Sequence, residues 1–321
     1  MIHDTTSDTF RSELADKLRQ LEQKYAAMGQ DMASYLEGLL QADYLTYWDY
    51  IHLETLLSLQ NPRTAYPDEL IFITYHQTVE LYFKLVLHEI YQIAGHEALT
   101  AAFFTERMQR INRYFAILQH SFDVMVEGLD RNQFLKFRMA LLPSSGFQSV
   151  QFRQIEIAST DFRNLVVAPE GMASDAPVEA LYEYLYWKQG ATELATHQKT
   201  LTLRQFEKRY GPQLVKMAVE CKERNLWRCF RRLQATGTAT EELITELRDF
   251  DRRVNVQWKL SHLRSAVKYL HKEPEDIKAT GGTNWQTYLP PVQQNRIFFP
   301  DIWSEAEKQH WGSFRFGSQP S

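Results

Sequence analysis

Cysteine is nearly absent from this chain: two occur in 321 residues, Cys221 and Cys229. Their separation of eight fits neither a CxxC redox pair nor a zinc-binding pair. So few thiols exclude a disulfide scaffold and suit a reducing cytosol. Long apolar runs are missing as well. The longest apolar stretch, 70–95, is broken by Glu80, Lys84 and Glu89, charges that a membrane span tolerates poorly. The segment "MIHDTTSDTFRSELADKLRQLEQKY" has no apolar core of a secretory signal, so the expectation is a soluble, cytoplasmic protein. Charge of one sign is lacking too. The 36 basic and 40 acidic residues leave a net charge of −4, without the strongly basic balance of a phosphate-backbone binder. The most basic stretch, "CKERNLWRCFRRLQ" (221–234), reads as a solvated helix face.

Familiar catalytic signatures are also missing. His88–Glu89 and His96–Glu97 each lack the second histidine of HExxH. The ExxH pairs of di-iron bundles, GxGxxG, a Walker A loop and GxSxG are absent.

What is present is apolar and aromatic. Apolar residues make up 44% of the chain and aromatics 13%, enough for a sizeable core and an aromatic-lined interior. No proline falls between Pro67 and Pro143 or between Pro212 and Pro274. Proline costs about 3 kcal/mol inside a helix, so these gaps are where long helices can run. The spacing predicts helices over 9–28, 31–41, 68–94, 98–127, 130–141, 149–160, 177–189, 198–210, 211–235 and 240–271, with Asp68 as an N-cap. No window alternates with period two, so no sheet is expected. The fold class is therefore all-α, a single domain 1–321 of about ten helices. Residues 166–180 read as a loop. Beyond Pro274 the chain turns irregular in "ATGGTNWQTYLPPVQQNRIFFPDIW" (279–303), the kind of long loop that more often carries function.

Three residues are out of place on their helices. His76 in "FITYHQTVELYFKLVLHEI" follows Phe72 by four on an apolar stripe. It is a core group, a metal ligand or a group aimed at a substrate. His262 continues the i+4 stripe Phe250, Val254, Trp258. The bland account is a core histidine bonded to a carbonyl; a haem ligand looks the same. Arg252, Arg253, Lys259, Arg264 and Lys268 flank that stripe, where they could meet haem propionates or simply face solvent. Arg138 follows Phe134 by four, a ring and a guanidinium that suit an aromatic amino acid with its carboxylate.

Together the segments "YLTYWDYIHLETLLSLQ", "DELIFITYHQTVELYFKLVLHEI", "FLKFRMALLPSSGFQSVQFRQIE", "WKLSHLRSAV" and "ATGGTNW" resemble the tryptophan 2,3-dioxygenase family over about residues 44–303. The ordered motifs HQxxEL, SGFQSxQFR and TGG make the resemblance specific. It implies an all-helical domain enclosing a haem pocket, usually a homotetramer, acting in tryptophan catabolism at the head of the kynurenine pathway. O2 would be inserted across the indole C2–C3 bond of L-tryptophan to give N-formyl-L-kynurenine. By the resemblance His262 is the axial ligand of haem b (Fe2+), and His76 is the catalytic distal residue on the indole N–H. Phe72 and Phe134 pack the indole. Arg138 takes the carboxylate and Thr280 the ammonium or carboxylate. Ser145 lies near the haem edge, and Tyr47 and Tyr50 come from a neighbouring subunit. Residues 1–42 would pack on that neighbour, and 272–303 would form an active-site loop and C-terminal segment.

The chain departs from the family pattern in places. The loop reads "ATGGTNW" where "GTGGSSG" is common, "HKEPED" (271–276) lengthens the link to it, and Tyr82 stands where Trp is common. These changes leave open a haem monooxygenase acting on a substituted tryptophan or another aromatic amino acid. The non-enzyme alternative is a haem-binding sensor.

Overall fold

A computed structural model of the chain describes residues 5–42, 45–141, 145–167, 169, 171–173, 175–193, 196, 198–271 and 285–313. The fold is all-α. Among the described residues there is no strand, only the isolated bridges Val166–Leu185 and Thr192–Lys199. No described helix is long and apolar enough to cross a membrane. The chain divides into two compact units, 1–59 and 60–321.

The first unit contains α1 (Thr5–Ala27) and α2 (Met32–Leu40), then short turns at Tyr47–Tyr50 and Leu53–Leu57. Asp31 starts α2 by accepting the backbone N–H groups of Ala33 at 3.2 Å and Ser34 at 3.1 Å. Leu39, Leu40, Tyr47, Trp48 and Tyr50 are exposed.

The second unit is built around α3 (Asp68–Gly95), which packs against α4 (Ala101–Ser121), α5 (Arg131–Phe137) and α6 (Val150–Ser159). Then come α7 (Leu201–Glu220), α8 (Leu226–Ala235), α9 (Glu241–Arg252) and α10 (Trp258–Leu270). The core is aromatic. Phe83 meets Phe115, Phe152 and Trp258 at ring-centre distances of 6.2, 5.4 and 5.9 Å. Phe115 is fully buried, and truncating such a ring to alanine costs about 3–5 kcal/mol. Both cysteines are free thiols, Cys229 buried and Cys221 half-buried.

Four boundaries differ from the sequence expectation. Asp68 is not an N-cap but the first residue of α3, where its carboxylate accepts the N–H of Asp130 at 2.6 Å. The buried Glu69 instead orders the preceding turn, accepting the N–H groups of Arg63 at 2.8 Å and Thr64 at 2.7 Å. The expected break at Gly211–Pro212 does not occur, and α7 runs through it. Pro212 is exposed, so the carbonyl its missing N–H leaves free can be hydrated. The chain breaks at 221–225 instead, where Asn225 caps α8 by accepting the N–H of Arg228 at 3.0 Å. Residues 177–189 form two short turns, Val178–Tyr182 and Tyr186–Gln189, rather than one helix. Finally, 240–271 is not a continuous α-helix: a π-helical turn, Arg253–Gln257, separates α9 from α10.

Candidate active site

The second unit encloses a cavity of about 800 Å3, within the range of ligand sites. The helices α3, α5, α6 and α10 supply much of its wall, with the segments 145–149, 186–190 and 285–296. Of the residues singled out in the sequence, Phe72, His76, Phe134, Arg138, Ser145 and His262 all line it. Tyr47 and Tyr50 belong to the first unit. Thr280 lies outside the described residues.

The two histidines are held in the same way. His76 Nδ1 lies 2.7 Å from the carbonyl oxygen of Phe72, and His262 Nδ1 lies 2.8 Å from that of Trp258. A carbonyl only accepts, so each Nδ1 carries the proton and donates, leaving Nε2 with a free lone pair. This is the i−4 bond that a helix makes available to its own side chains. Burial pushes the His262 pKa down to about 4 and lowers that of His76. Both rings are therefore neutral at pH 7. His262 is clamped by Phe122 at 4.8 Å and Trp258 at 4.7 Å; His76 stacks on Phe72 at 4.1 Å. Protein surrounds His76 closely enough to lower its pKa, yet its side chain remains open to solvent-sized space. That space is the cavity it lines.

Arg138 sits where α5 tightens into a 3-10 turn, Arg138–Leu141, and is 5% exposed. Burial lowers its pKa. The rings near it form an aromatic wall: Phe134 meets Tyr269 at 4.6 Å, Phe137 at 5.5 Å and Phe72 at 6.2 Å. The Tyr269 hydroxyl is committed elsewhere, donating to the carbonyl of Met125 at 2.6 Å.

The motif "SGFQSVQFRQIE" is mostly scaffold with two charged groups added. Gln148 accepts the N–H of Ser145 at 2.9 Å and donates to the carbonyl of Thr202 at 3.2 Å. Ser149 caps α6 through the N–H of Phe152 at 3.2 Å. Gln151 donates to the Glu80 carbonyl and carboxylate, both at 2.8 Å, and Gln77 accepts from Gln60 at 2.6 Å. Glu80 and Gln77 thus have structural hydrogen-bonding roles.

One cluster was not legible beforehand. The buried Tyr186 hydroxyl donates to Glu156, and it accepts from Lys259 Nζ at 2.6 Å and from Arg153 at 3.4 Å. Arg153 also pairs with Glu156 at 2.9 Å. The Arg296 guanidinium lies 5.0 Å from the centre of the Tyr186 ring. Three cations thus converge on one carboxylate. Burial pushes the Lys259 pKa down to about 7 and lowers that of Arg296. Arg153 Nε and Arg296 Nε are buried and have no hydrogen-bond partner among the described residues. Such orphaned donors are costly and call for an acceptor.

Of the five basic residues that flank the His262 stripe, read as facing either haem propionates or solvent, only Lys259 lines the cavity. Arg252 and Arg253 pair with Asp249 at 3.5 and 2.8 Å, Arg264 with Asp123 at 3.6 Å and Lys268 with Glu127 at 3.5 Å. A neighbour in sequence satisfies Arg252 and Arg253, whereas Arg264 and Lys268 pair with carboxylates of a distant segment; Arg153 and Arg296 also arrive from distant elements. The one local signal was the i+3 spacing of Arg153 and Glu156.

The all-helical unit thus holds an aromatic cavity lined by two histidines and buried cations. Comparison with known proteins gives it a family. The sequence model of "Tryptophan 2,3-dioxygenase" matches residues 37–165. A protein of that name from Polaromonas sp. (strain JS666 / ATCC BAA-500) is 31% identical, the match covering 81% of this chain and 86% of the relative. One from Ruegeria sp. (strain TM1040) is 29% identical over 82% of this chain and 92% of its own length. One from Exiguobacterium sibiricum is 27% identical over 88% of this chain and 100% of its own length. The chain belongs to the tryptophan 2,3-dioxygenase family.

Proposed function

We propose that the chain is a haem-dependent dioxygenase that converts L-tryptophan and O2 to N-formyl-L-kynurenine. The observation that carries the reading is the pair of neutral histidines, each with Nδ1 committed to a helix carbonyl and Nε2 free in one aromatic cavity. One Nε2 suits an iron ligand. The other suits an acceptor for an indole N–H.

The residues present fit haem. His262 supplies a neutral imidazole whose Nδ1–H bond fixes its orientation, the arrangement that metal-bound histidines favour. Arg153 and Arg296 outnumber the one carboxylate of the cluster, Glu156, and their orphaned Nε donors suit the carboxylates of a porphyrin. When bound, haem supplies the activation of dioxygen.

The chain's own residues bind and orient the substrate. Phe72 and Phe134 pack the indole rings. His76 Nε2 accepts the indole N–H, which only the neutral ring with its proton on Nδ1 can do. Arg138 receives the substrate carboxylate, a charge-assisted pair strengthened by the low-dielectric surroundings. Ser145 stands at the edge of the same cavity. Thr280 would complete the site around the amino-acid end. Tyr47 and Tyr50, 70% and 73% exposed, would close the pocket of a neighbouring subunit in a cytoplasmic homotetramer.

The test is the reduced, haem-loaded protein with L-tryptophan in air. Growth of N-formylkynurenine absorbance is expected, and it should vanish in His262→Ala together with the native Soret band. A five-coordinate haem protein that binds tryptophan without forming this product would overturn the reading.

A further inference from the structure

The stripe Phe250, Val254, Trp258, His262 keeps a spacing of four over twelve residues, which an α-helix cannot hold on one face. At about 100° per residue, twelve steps carry a side chain about 120° round the axis. The π-turn corrects this. Its i→i+5 bond, from the N–H of Trp258 to the carbonyl of Arg253, adds one residue to the turn and returns about 100°. The rings agree. Phe115 touches both Phe250 at 5.8 Å and Trp258 at 6.4 Å. Phe122 touches both Trp258 at 5.4 Å and His262 at 4.8 Å.

A π-turn is rare and needs support. Here Asn255, 2% exposed, donates to Asp251 Oδ1 at 2.7 Å across the turn. Gln119 donates to the Arg253 carbonyl at 3.1 Å. Asp251 is fully buried and lacks a basic partner among the described residues. It accepts three further donors: the N–H groups of Phe298 at 2.9 Å and Phe299 at 3.2 Å, and Trp303 Nε1 at 3.0 Å. Two residues before Phe298 is Arg296, in the charged cluster of the same cavity.

The geometry points to Asp251 and Asn255 as positioning residues: they hold the π-turn that rotates His262 into the cavity, and Asp251 ties the segment bearing Arg296 to that same turn. The inference rests on the reading of His262 as the haem ligand. Neither residue lines the cavity; both act through the backbone.

The experiment reads the iron–histidine stretching band of the ferrous, haem-loaded protein. His262→Gly should lose the band and regain an imidazole-ligated spectrum on addition of imidazole. Failure there sinks the haem-ligand reading, not the positioning one. Deleting Gln257, an exposed residue of the turn, removes the extra residue. It should leave a helical, haem-binding protein without the histidine band, recoverable by imidazole. Retention of the native band in that variant would overturn the inference. If the deletion does not fold, the point variants decide. Asn255→Ala and Asp251→Asn should shift or broaden the band, while Asn225→Ala, an equally buried cap residue of α8, should leave it in place. An unshifted band in both point variants, or an equal shift in the control, refutes the positioning role. If haem is not the group, the 15N signal of the His262 Nδ1–H in the ligand-free chain carries the same comparison. It should move with Asn255→Ala and Asp251→Asn and stay with Asn225→Ala.

Discussion

The cavity handles buried positive charge in two ways. Arg138 is buried and lines the cavity together with the rings of Phe72, Phe134 and Tyr269. Arg153, Lys259 and Arg296 are gathered round Tyr186 and share Glu156. On the proposed reading, the first cation meets the substrate's carboxylate. The second makes a cation cluster tolerable before any ligand arrives, because one carboxylate and one hydroxyl already compensate part of it. On the proposed reading, the difference separates a site that selects a substrate from one that must stay folded while holding a larger group.

The largest effect should follow from removing the compensation. Glu156→Gln removes the carboxylate that Arg153 and Lys259 share and should cost about 3–5 kcal/mol of stability in the ligand-free protein. Calorimetry would show a lowered Tm, largely recovered on haem binding. An unchanged Tm would mean that the cluster is not held by charge. Next is Arg138→Ala, which should leave the Tm nearly unchanged. It should reduce kcat/KM for L-tryptophan by the ~2–5 kcal/mol typical of a lost buried charge partner, mostly through KM. Arg138→Lys should recover only part of this, since the planar two-pronged contact is gone. His76→Ala should keep the haem spectrum and lose about 0.5–1.5 kcal/mol of substrate positioning, the net worth of one hydrogen bond. Steady-state kinetics with tryptophan and an N-methylated indole would read this, the methylated substrate being the less sensitive.

A further effect concerns pH. Burial depresses Lys259 from its ordinary 10.5 to about 7 in the folded chain. Between these values the unfolded chain binds the extra proton and the folded one does not. Stability of the ligand-free protein should therefore rise as pH increases from about 7 towards 10. Lys259→Met should flatten that slope in urea titrations. A wild-type slope retained in the variant would assign the proton elsewhere.

The aromatic half of this comparison was largely legible in the sequence. His76 after Phe72 and Arg138 after Phe134 are i+4 pairs on single helices, and local spacing is what sequence periodicity reports. The charged half was not. Tyr186, Arg153, Lys259 and Arg296 come from four elements, and nothing in the neighbourhood of any one of them announces the others. Lys259 stood in the sequence as one of five equivalent flanking basic residues; only packing distinguishes it from Arg252 and Arg253, which pair locally, and from Arg264 and Lys268, which pair with Asp123 and Glu127. His262 was found by a stripe that assumes a continuous helix, and the stripe works because a π-turn undoes the drift. That turn depends on donors some fifty residues away, at Phe298, Phe299 and Trp303, so no window of local sequence contains it. Helix ends failed for a related reason. Pro212 was read as a break because its cost is intrinsic, whereas its exposure, which makes the cost bearable, is a property of the fold.

The bonds gathered by Asp251 also have a consequence in time. Contacts between residue 251 and residues 298–303 are separated by 47 to 52 positions, and such long closures tend to form after local helices have condensed. During synthesis the helices carrying His76 and His262 leave the ribosome well before Phe298 does. Until that segment docks, the carboxylate of Asp251 has only Asn255 to hold it among these partners. The site then matures in a sequence, with the helix of His76 in place early and the rotation of His262 fixed last. A nascent chain stopped short of Phe298 would be helical yet unable to present both imidazoles to the same group.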